Sequence, residues 1–396
     1  MTVASFADLD VTSPDFFARP DFYEVLRQLR EHAPVCRSGS DTWMVTRYDD
    51  IRAISRDPSR FISSRGVIIN DAARKGGTDL SSTSVIHMDP PAHAAYRKLV
   101  NAEFTPRAVG RMEAAVRATV QRVLDNVPAG EEIDAVAALT GPIPVLVIAN
   151  LLGVSDGDLA DFQRWSDAMI EFSDAPSREG HESGVALFAF FDRHIQSRYE
   201  QPGDDLISLL TAAAVDGVSL TREQILMFCL TLLVAGNETT RHLLSGSLLA
   251  LREQPAQRAA LANGPELLPG AVEEMLRWVT PIQAMGRTAV ADMTFAGRDI
   301  AAGDYLVMLY ASGNRDEAVF GPTADRFDIS RPVTPAHVAF GFGEHLCLGA
   351  SLARLEARLF LELLLARYPA YEIPGEPVWT RSTLVHGPIS MPIVLR

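Results

Sequence analysis

The chain has 396 residues, 47% of them hydrophobic, with a formal net charge of −14 and three cysteines. That apolar content suffices for a large core, while the net negative charge argues against nucleic acid as a partner, because phosphate binding needs clustered Lys and Arg. Cys36, Cys229 and Cys347 form an odd, sparse set, which fits a reducing compartment and no disulfide framework.

Met1–Asp10 carries two Asp and no basic residue ahead of an apolar stretch, so neither a signal peptide nor an anchor is expected. No spacer, charge block or repeat divides the chain, and residues 1–396 read as one large domain. Trp43–Thr46 is a strand candidate. Helical periodicity dominates after residue 90. Asp89-Pro90-Pro91 reads as an N-cap with proline in the first turn, opening a helix that carries His93 and Arg97. The uncharged segment Gly141–Val154 contains two prolines and falls short of the ~20 residues that span a bilayer. Ser155 and Asp158 have capping-box spacing before a helix near Leu159–Ile170, and Thr221 and Gln224 repeat it before a long apolar helix over Glu223–Arg252. Gly270–Val279 is a helix stopped by Pro281. Short strands are expected at Thr288–Val290, Met293–Phe295 and Tyr305–Leu309. Without βαβ alternation, the fold class is mainly α with a small β region.

One stretch stands apart: Phe340-Gly341-Phe342-Gly343-Glu344-His345-Leu346-Cys347-Leu348-Gly349, followed by a helical run, Leu348–Arg367. The glycines permit tight turns, and a thiolate just ahead of a helix N-terminus is stabilised by unpaired backbone N–H groups. Gly349 allows close approach of a flat ligand, and Phe340 can shield the sulfur. These are the requirements of a metal-bound thiolate. Cys36 and Cys229 read as small buried hydrophobes.

Phe340–Gly349 resembles the haem-binding loop of the cytochrome P450 family, F-G-x-G-x-H-x-C-x-G, at every fixed position. Further matches follow in the family's order from about residue 43 onwards. Ala235-Gly236-Asn237-Glu238-Thr239-Thr240, in the middle of the long helix, matches [A/G]-G-x-[D/E]-T. By itself it is an acid and two threonines that are costly inside an apolar helix, readable equally as a polar notch. The resemblance makes it a local helix distortion above the iron, with Thr239 hydrogen-bonding near dioxygen and Glu238 relaying protons. Glu274 and Arg277 match E-x-x-R, a structural pair expected to meet Arg326, and Asn314-Arg315-Asp316 reads as scaffold.

The resemblance further implies the cytochrome P450 fold, with haem b between the long helix and the Cys-loop helix, Cys347 as iron ligand, and Ala235, Phe340 and Gly349 against the cofactor. His93, Arg97, Arg287 and His345 become the propionate partners; arginine suits carboxylates because its planar fork donates two hydrogen bonds. Pocket walls are expected in the segment 62–86, with Val67, Ile68 and Ile69, and at Phe172, Leu232, Val234, Ala235, Ile282, Met285 and Leu384. The implied activity is that of a monooxygenase using O2 on a hydrophobic small molecule of terpenoid, fatty acyl or sterol type. Ferredoxin and ferredoxin reductase supply electrons, docking on a basic patch drawn from Lys98, Arg107, Arg111, Arg354 and Arg358. The protein is expected to be monomeric, cytoplasmic and free of membrane. Rival readings are a peroxide-dependent peroxygenase, a haem-thiolate protein that binds a ligand or carrier without turnover, and a cysteine hydrolase built on Cys347.

Overall fold

The computed structural model describes Phe6 and residues 8–75, 84–174, 178–215 and 217–396. The long helix runs over Arg222–Arg252, about 46 Å at 1.5 Å per residue. It starts where it does because Thr221 and Gln224 form a complete capping box. Gln224 N donates to Thr221 Oγ1 at 3.2 Å, and Thr221 N donates to Gln224 Oε1 at 2.8 Å. The same spacing at Ser155 and Asp158 produces a different contact, Ser155 Oγ to Asp158 Oδ2 at 2.6 Å, ahead of the helix Leu159–Asp174.

The long helix is buried at both ends in separate cores. Its N-terminal half places Ile225, Phe228, Cys229 and Leu233 against Phe162, Phe190 and Phe191. Its C-terminal half places Leu243, Leu244, Leu248 and Leu251 among Val272 and Met275 of the helix Leu268–Val279 and Leu359, Phe360 and Leu364 of the helix Ala350–Arg367. Each fully buried leucine or phenylalanine contributes about 1.5–3 kcal/mol. The middle of the same helix is left open, with Val234 37% exposed.

The β structure is small and peripheral. A five-stranded mixed sheet has the order Val35–Arg37, Trp43–Val45, Tyr305–Met308, Met285–Ala289, Phe61–Ile62. Trp43 pairs parallel with Leu306, and Leu306 pairs antiparallel with Arg287. A second sheet joins Tyr371–Glu372, Pro392–Leu395 and Glu132–Asp134. Ile282 and Val385 form an isolated bridge that brings residues 282–285 beside residues 383–386.

Two expectations change in detail. Asp89 does not cap its own helix, Ala92–Val100, whose N-cap is Pro91. Its carboxylate instead accepts Ser63 N at 2.7 Å and Ser64 N at 3.1 Å, tying that helix to the segment after Ile62. The long helix runs unbroken through 235–240. Helices Phe22–His32 and Tyr48–Ser55 show that helical structure begins well before residue 90.

Candidate active site

The Cys loop is shaped by its glycines. Gly341 and Gly343 have φ of +70° and +73°, and a Cβ on Gly343 would stand 2.1 Å from the Ser55 carbonyl oxygen. Only glycine fits there. Cys347 N donates to Phe340 O at 2.9 Å, which closes the loop, and Ala350 opens the following helix. Cys347 keeps open surface although protein crowds its sulfur, which fits a thiol that faces a recess. Burial pushes its thiol up, opposed by the Gly349 N–H and the guanidiniums of Arg97 and Arg354. A bound metal ion is what would turn such a thiol into a thiolate.

The loop is anchored from behind. Val338 N donates to Asn314 Oδ1 at 2.7 Å, Gly341 N donates to Val338 O at 2.9 Å, and Asn314 Nδ2 donates to Thr280 Oγ1 at 2.9 Å. Arg277 holds the other side of Asn314 by donating to its carbonyl at 2.7 Å. Arg277 is itself in a buried pair with Glu274, two hydrogen bonds of 2.7 Å each. The arginine that completes this cluster is Arg331, whose Nε lies 3.1 Å from Glu274 Oε2. This corrects the expectation for Arg326, which is exposed and contributes only its backbone carbonyl to Arg277 at 2.8 Å. The turn Thr323–Arg326 directs that carbonyl inward, which leaves its side chain facing out.

On the other side of the loop stand four nitrogen-bearing side chains. His93 and Arg97 project from one face of Ala92–Val100, Arg287 comes from the strand Met285–Ala289, and His345 from the Cys loop. The rings of His93 and His345 have centroids 4.0 Å apart, and His345 Nε2 lies 3.1 Å from Ser63 Oγ. Arg97 Nη2 donates to Leu346 O at 2.9 Å. Burial, together with Arg97 and Arg287, holds His93 down to about 4; burial with Arg287, His93 and Arg97 holds His345 down to about 3. Neither arginine forms an ion pair among the described residues. Two guanidiniums and two imidazoles therefore converge with only Asp89 nearby, a surplus of donors suited to an anion with more than one carboxylate.

The open middle of the long helix presents Val234 and Ala235, with Thr239 one turn on. Thr239 Oγ1 donates to Ala235 O at 2.7 Å. Glu238 is turned inward, 8% exposed, with Oε1 3.6 Å from both Arg241 Nη2 and His242 Nε2. An open sulfur, an open apolar stretch of helix and a cluster of cationic and imidazole donors for two carboxylates are the side-chain chemistry that haem b requires. Among the described residues no group of three His, Cys, Asp or Glu stands close enough to hold a metal ion, so iron at Cys347 needs a macrocycle for its other ligands.

The remaining sequence-derived positions divide. Leu232, Val234, Ala235, Ile282, Met285, Leu384 and Ile68 keep open surface. Gln283 N donates to Leu384 O at 2.9 Å, which sets Ile282, Met285 and Leu384 on joined segments. Val67 and Ile69 are corrections: they are 0% and 1% exposed, and Ile69 packs in the core with Met44 and Tyr305, so neither lines an open wall. Phe172 belongs to the helix Leu159–Asp174, but its side chain lies outside the described residues, as do residues 76–83 of the segment 62–86. Phe340 is half-buried under the Arg354 guanidinium at 4.7 Å. Of the proposed docking cations, Arg354 is paired with Glu273 and Arg358 with Glu113 and Glu362. Lys98 and Arg107 form no ion pair among the described residues. Sequence reasoning missed Asn314's link to the Cys loop, Arg331 and His242; the two arginine-bearing segments are ordinary in composition, and nothing local marks His242.

The family described as Cytochrome P450 matches residues 265–392. Linalool 8-monooxygenase of Pseudomonas putida is 34% identical over 98% of this chain and 98% of that protein. Steroid C26-monooxygenase of Mycobacterium tuberculosis is 36% identical over 98% and 97%. The structure of cytochrome P450 CYP109Q5 from Chondromyces apiculatus superposes with a TM-score of 0.88 at 37% identity, covering 98% of each chain.

Proposed function

The chain belongs to the cytochrome P450 family and is a haem b monooxygenase, and from that premise we propose that it hydroxylates a hydrophobic small molecule with a terpenoid or steroid-like skeleton. The observation that carries the substrate class is the open surface kept by the apolar residues Val234 and Ala235 on the long helix and by Ile282, Met285 and Leu384 on two joined segments. Such a lining favours burial of an apolar ligand with few polar anchors. The names of the relatives, which concern linalool and steroids, agree with it.

Haem b held by a thiolate supplies an electron-rich iron that activates dioxygen for insertion of one atom into a C–H bond. Cys347 would be its protein ligand, and Arg97, Arg287, His93 and His345 would take its propionates. With both rings neutral at pH 7, each imidazole offers one N–H, while the arginines carry the balancing charge. Thr239 offers a hydroxyl tethered to Ala235 O, and Glu238 one residue earlier supplies a carboxyl group. The apolar walls exclude water other than what these groups bind.

Electrons come from a separate donor, and a ferredoxin with its reductase fits a chain that carries no flavin or iron–sulfur motif. Lys98 and Arg107, unpaired beside the Cys-loop side, are the docking cations that remain. A monomer in the cytoplasm is the state this reading expects. Among the described residues no helix is long and apolar enough to cross a membrane. Glu238 and Thr239 favour dioxygen over a peroxide-driven reaction, because both groups serve proton delivery that peroxide does not require.

An optical titration of the ferric protein with linalool, testosterone and a long-chain fatty acid tests the substrate class. A saturable shift of the Soret band with the terpenoid or steroid is expected. A shift with the fatty acid alone, or with none of the three, would overturn it.

A further inference from the structure

The long helix carries more polar groups along its open middle than Glu238 and Thr239 account for. At roughly 100° per residue, Asn237, Arg241, Glu238 and His242 cover one continuous sector that adjoins Ala235 and Thr239. Asn237 is 1% exposed and His242 is 0% exposed. Both side-chain polar atoms of Asn237, Glu238 Oε1, Arg241 Nε and both ring nitrogens of His242 have no hydrogen-bond partner within the protein. Buried polar groups are ordinarily paired, so such a run on one helix asks for a use.

His242 is the group whose surroundings restrict it most. Its Nε2 lies 3.6 Å from Glu238 Oε1. Its other side is closed by residues 386–388, where a Cβ on Gly387 would fall 2.3 Å from His242 Nδ1. The Pro388 carbonyl faces the ring as an acceptor. The charged and titratable groups that act on it are Glu238 and Arg241 from its own helix and His386 from the packed segment, with Arg315 beyond. Burial lowers the affinity of the ring for a second proton, and Glu238 raises it again.

With Nδ1 protonated toward Pro388, Nε2 is left as an acceptor 3.6 Å from Glu238 Oε1. With a second proton on the ring, Nε2 becomes a donor facing the same carboxyl. We propose that Glu238 and His242 hold one proton between them, and that His242 is the positioning residue that sets how readily Glu238 binds the proton it delivers toward Thr239. The shared proton sits on the Glu238 carboxyl beside a neutral ring or on Nε2 beside a Glu238 carboxylate, so the pair carries the same net charge in both states. This rests on the assignment of Glu238 to proton delivery.

The test is a pair of pH titrations on the haem-loaded protein. The Glu238 carboxyl is followed by infrared spectroscopy, as the band missing from Glu238→Gln. The His242 ring is followed by nitrogen-15 resonance, as the signal missing from His242→Gln. We expect His242→Gln to move the Glu238 midpoint by one pH unit or more, a tenfold change in acidity. We expect Glu238→Gln to lower the His242 midpoint at least as far, because its anionic partner is gone. Midpoints that ignore the other residue would overturn the proposal, since a merely structural histidine alters stability and leaves them in place. If His242→Gln does not fold, the ring titration in Glu238→Gln decides alone. Neither titration needs a substrate, so failure to oxidise any probe would overturn the function and leave this pairing standing.

Discussion

Replacing Arg277 by Met removes the side chain that joins the buried acid of one helix to the support of the Cys loop. Arg277 is 2% exposed and donates five hydrogen bonds of 2.7–2.8 Å, two to Glu274 and one each to the carbonyls of Asn314, Ala324 and Arg326. Stripping one partner from a buried ion pair costs about 3–5 kcal/mol. Glu274 keeps Asp328 N at 2.8 Å and Arg331 Nε at 3.1 Å, which moderates the loss on the acid. Three carbonyls lose a charged donor at the same time, at about 1–3 kcal/mol for each group left unmet, and losses within one network do not add. About 4–5 kcal/mol is therefore expected, a large share of the roughly 5–15 kcal/mol that a folded protein has to lose. Arg326→Ala keeps its carbonyl and should stay within about 0.5 kcal/mol of the parent. Urea unfolding of the haem-loaded protein, followed by far-ultraviolet circular dichroism and Soret absorbance, reads both quantities. In Arg277→Met the Soret signal should fade before the helices melt, because Asn314 and through it Val338 lose their support first. Adding Glu274→Gln should restore at least about 1 kcal/mol by removing the stranded charge. The reasoning fails if Arg326→Ala costs as much as Arg277→Met, or if Arg277→Met unfolds like the parent.

Thr239→Ala removes a hydroxyl whose partner, the Ala235 carbonyl, stays in a continuous helix, so folding should change by less than about 1 kcal/mol. Productive turnover should fall by roughly 10²-fold while peroxide release rises, measured as product and peroxide formed per NADH consumed. Gly343→Ala should cost at least about 1–2 kcal/mol from the left-handed backbone alone, and more as its Cβ meets the Ser55 carbonyl, visible as reduced haem occupancy. In the haem-free protein His93 titrates near 4 and His345 near 3, both below the 6.5 of an unfolded chain. Their contribution is complete above pH 6.5 and is lost as pH falls toward those values, because only the unfolded chain takes up the protons. The urea midpoint should therefore drop between about pH 7 and about pH 5, and His93→Gln with His345→Gln should flatten that slope.

Much of the chemistry was legible because it sits in short, unbroken segments. Cys347, its two turn-forming glycines and the acid–threonine pair are local patterns, and a glycine at φ +73° is needed wherever such a loop folds. The capping box at Thr221 and Gln224 likewise set the start of the long helix from four residues. Where the partner is distant, the chain alone did not decide. Glu274 and Arg277 share a helix face by spacing, but the choice of Arg331 over Arg326 depends on how the turn at 323–326 presents a carbonyl rather than a side chain. Val67 and Ile69 have the right chemistry for a pocket wall, and packing put them in the core instead. Arg354 and Arg358 look like free cations in sequence, yet acids from other helices neutralise them.

The sequence by itself marked the Cys347 loop as the candidate ligand segment and indicated a largely helical fold, since both follow from neighbours along the chain, and it carried the resemblance to the cytochrome P450 family from which the reaction type was read. The tertiary structure alone decided which arginine completes the buried cluster, which of the apolar candidates keep open surface, and that His242 stands beside Glu238. Those are questions of distance and burial between segments far apart in the chain, where identical side chains take opposite roles according to what packs against them.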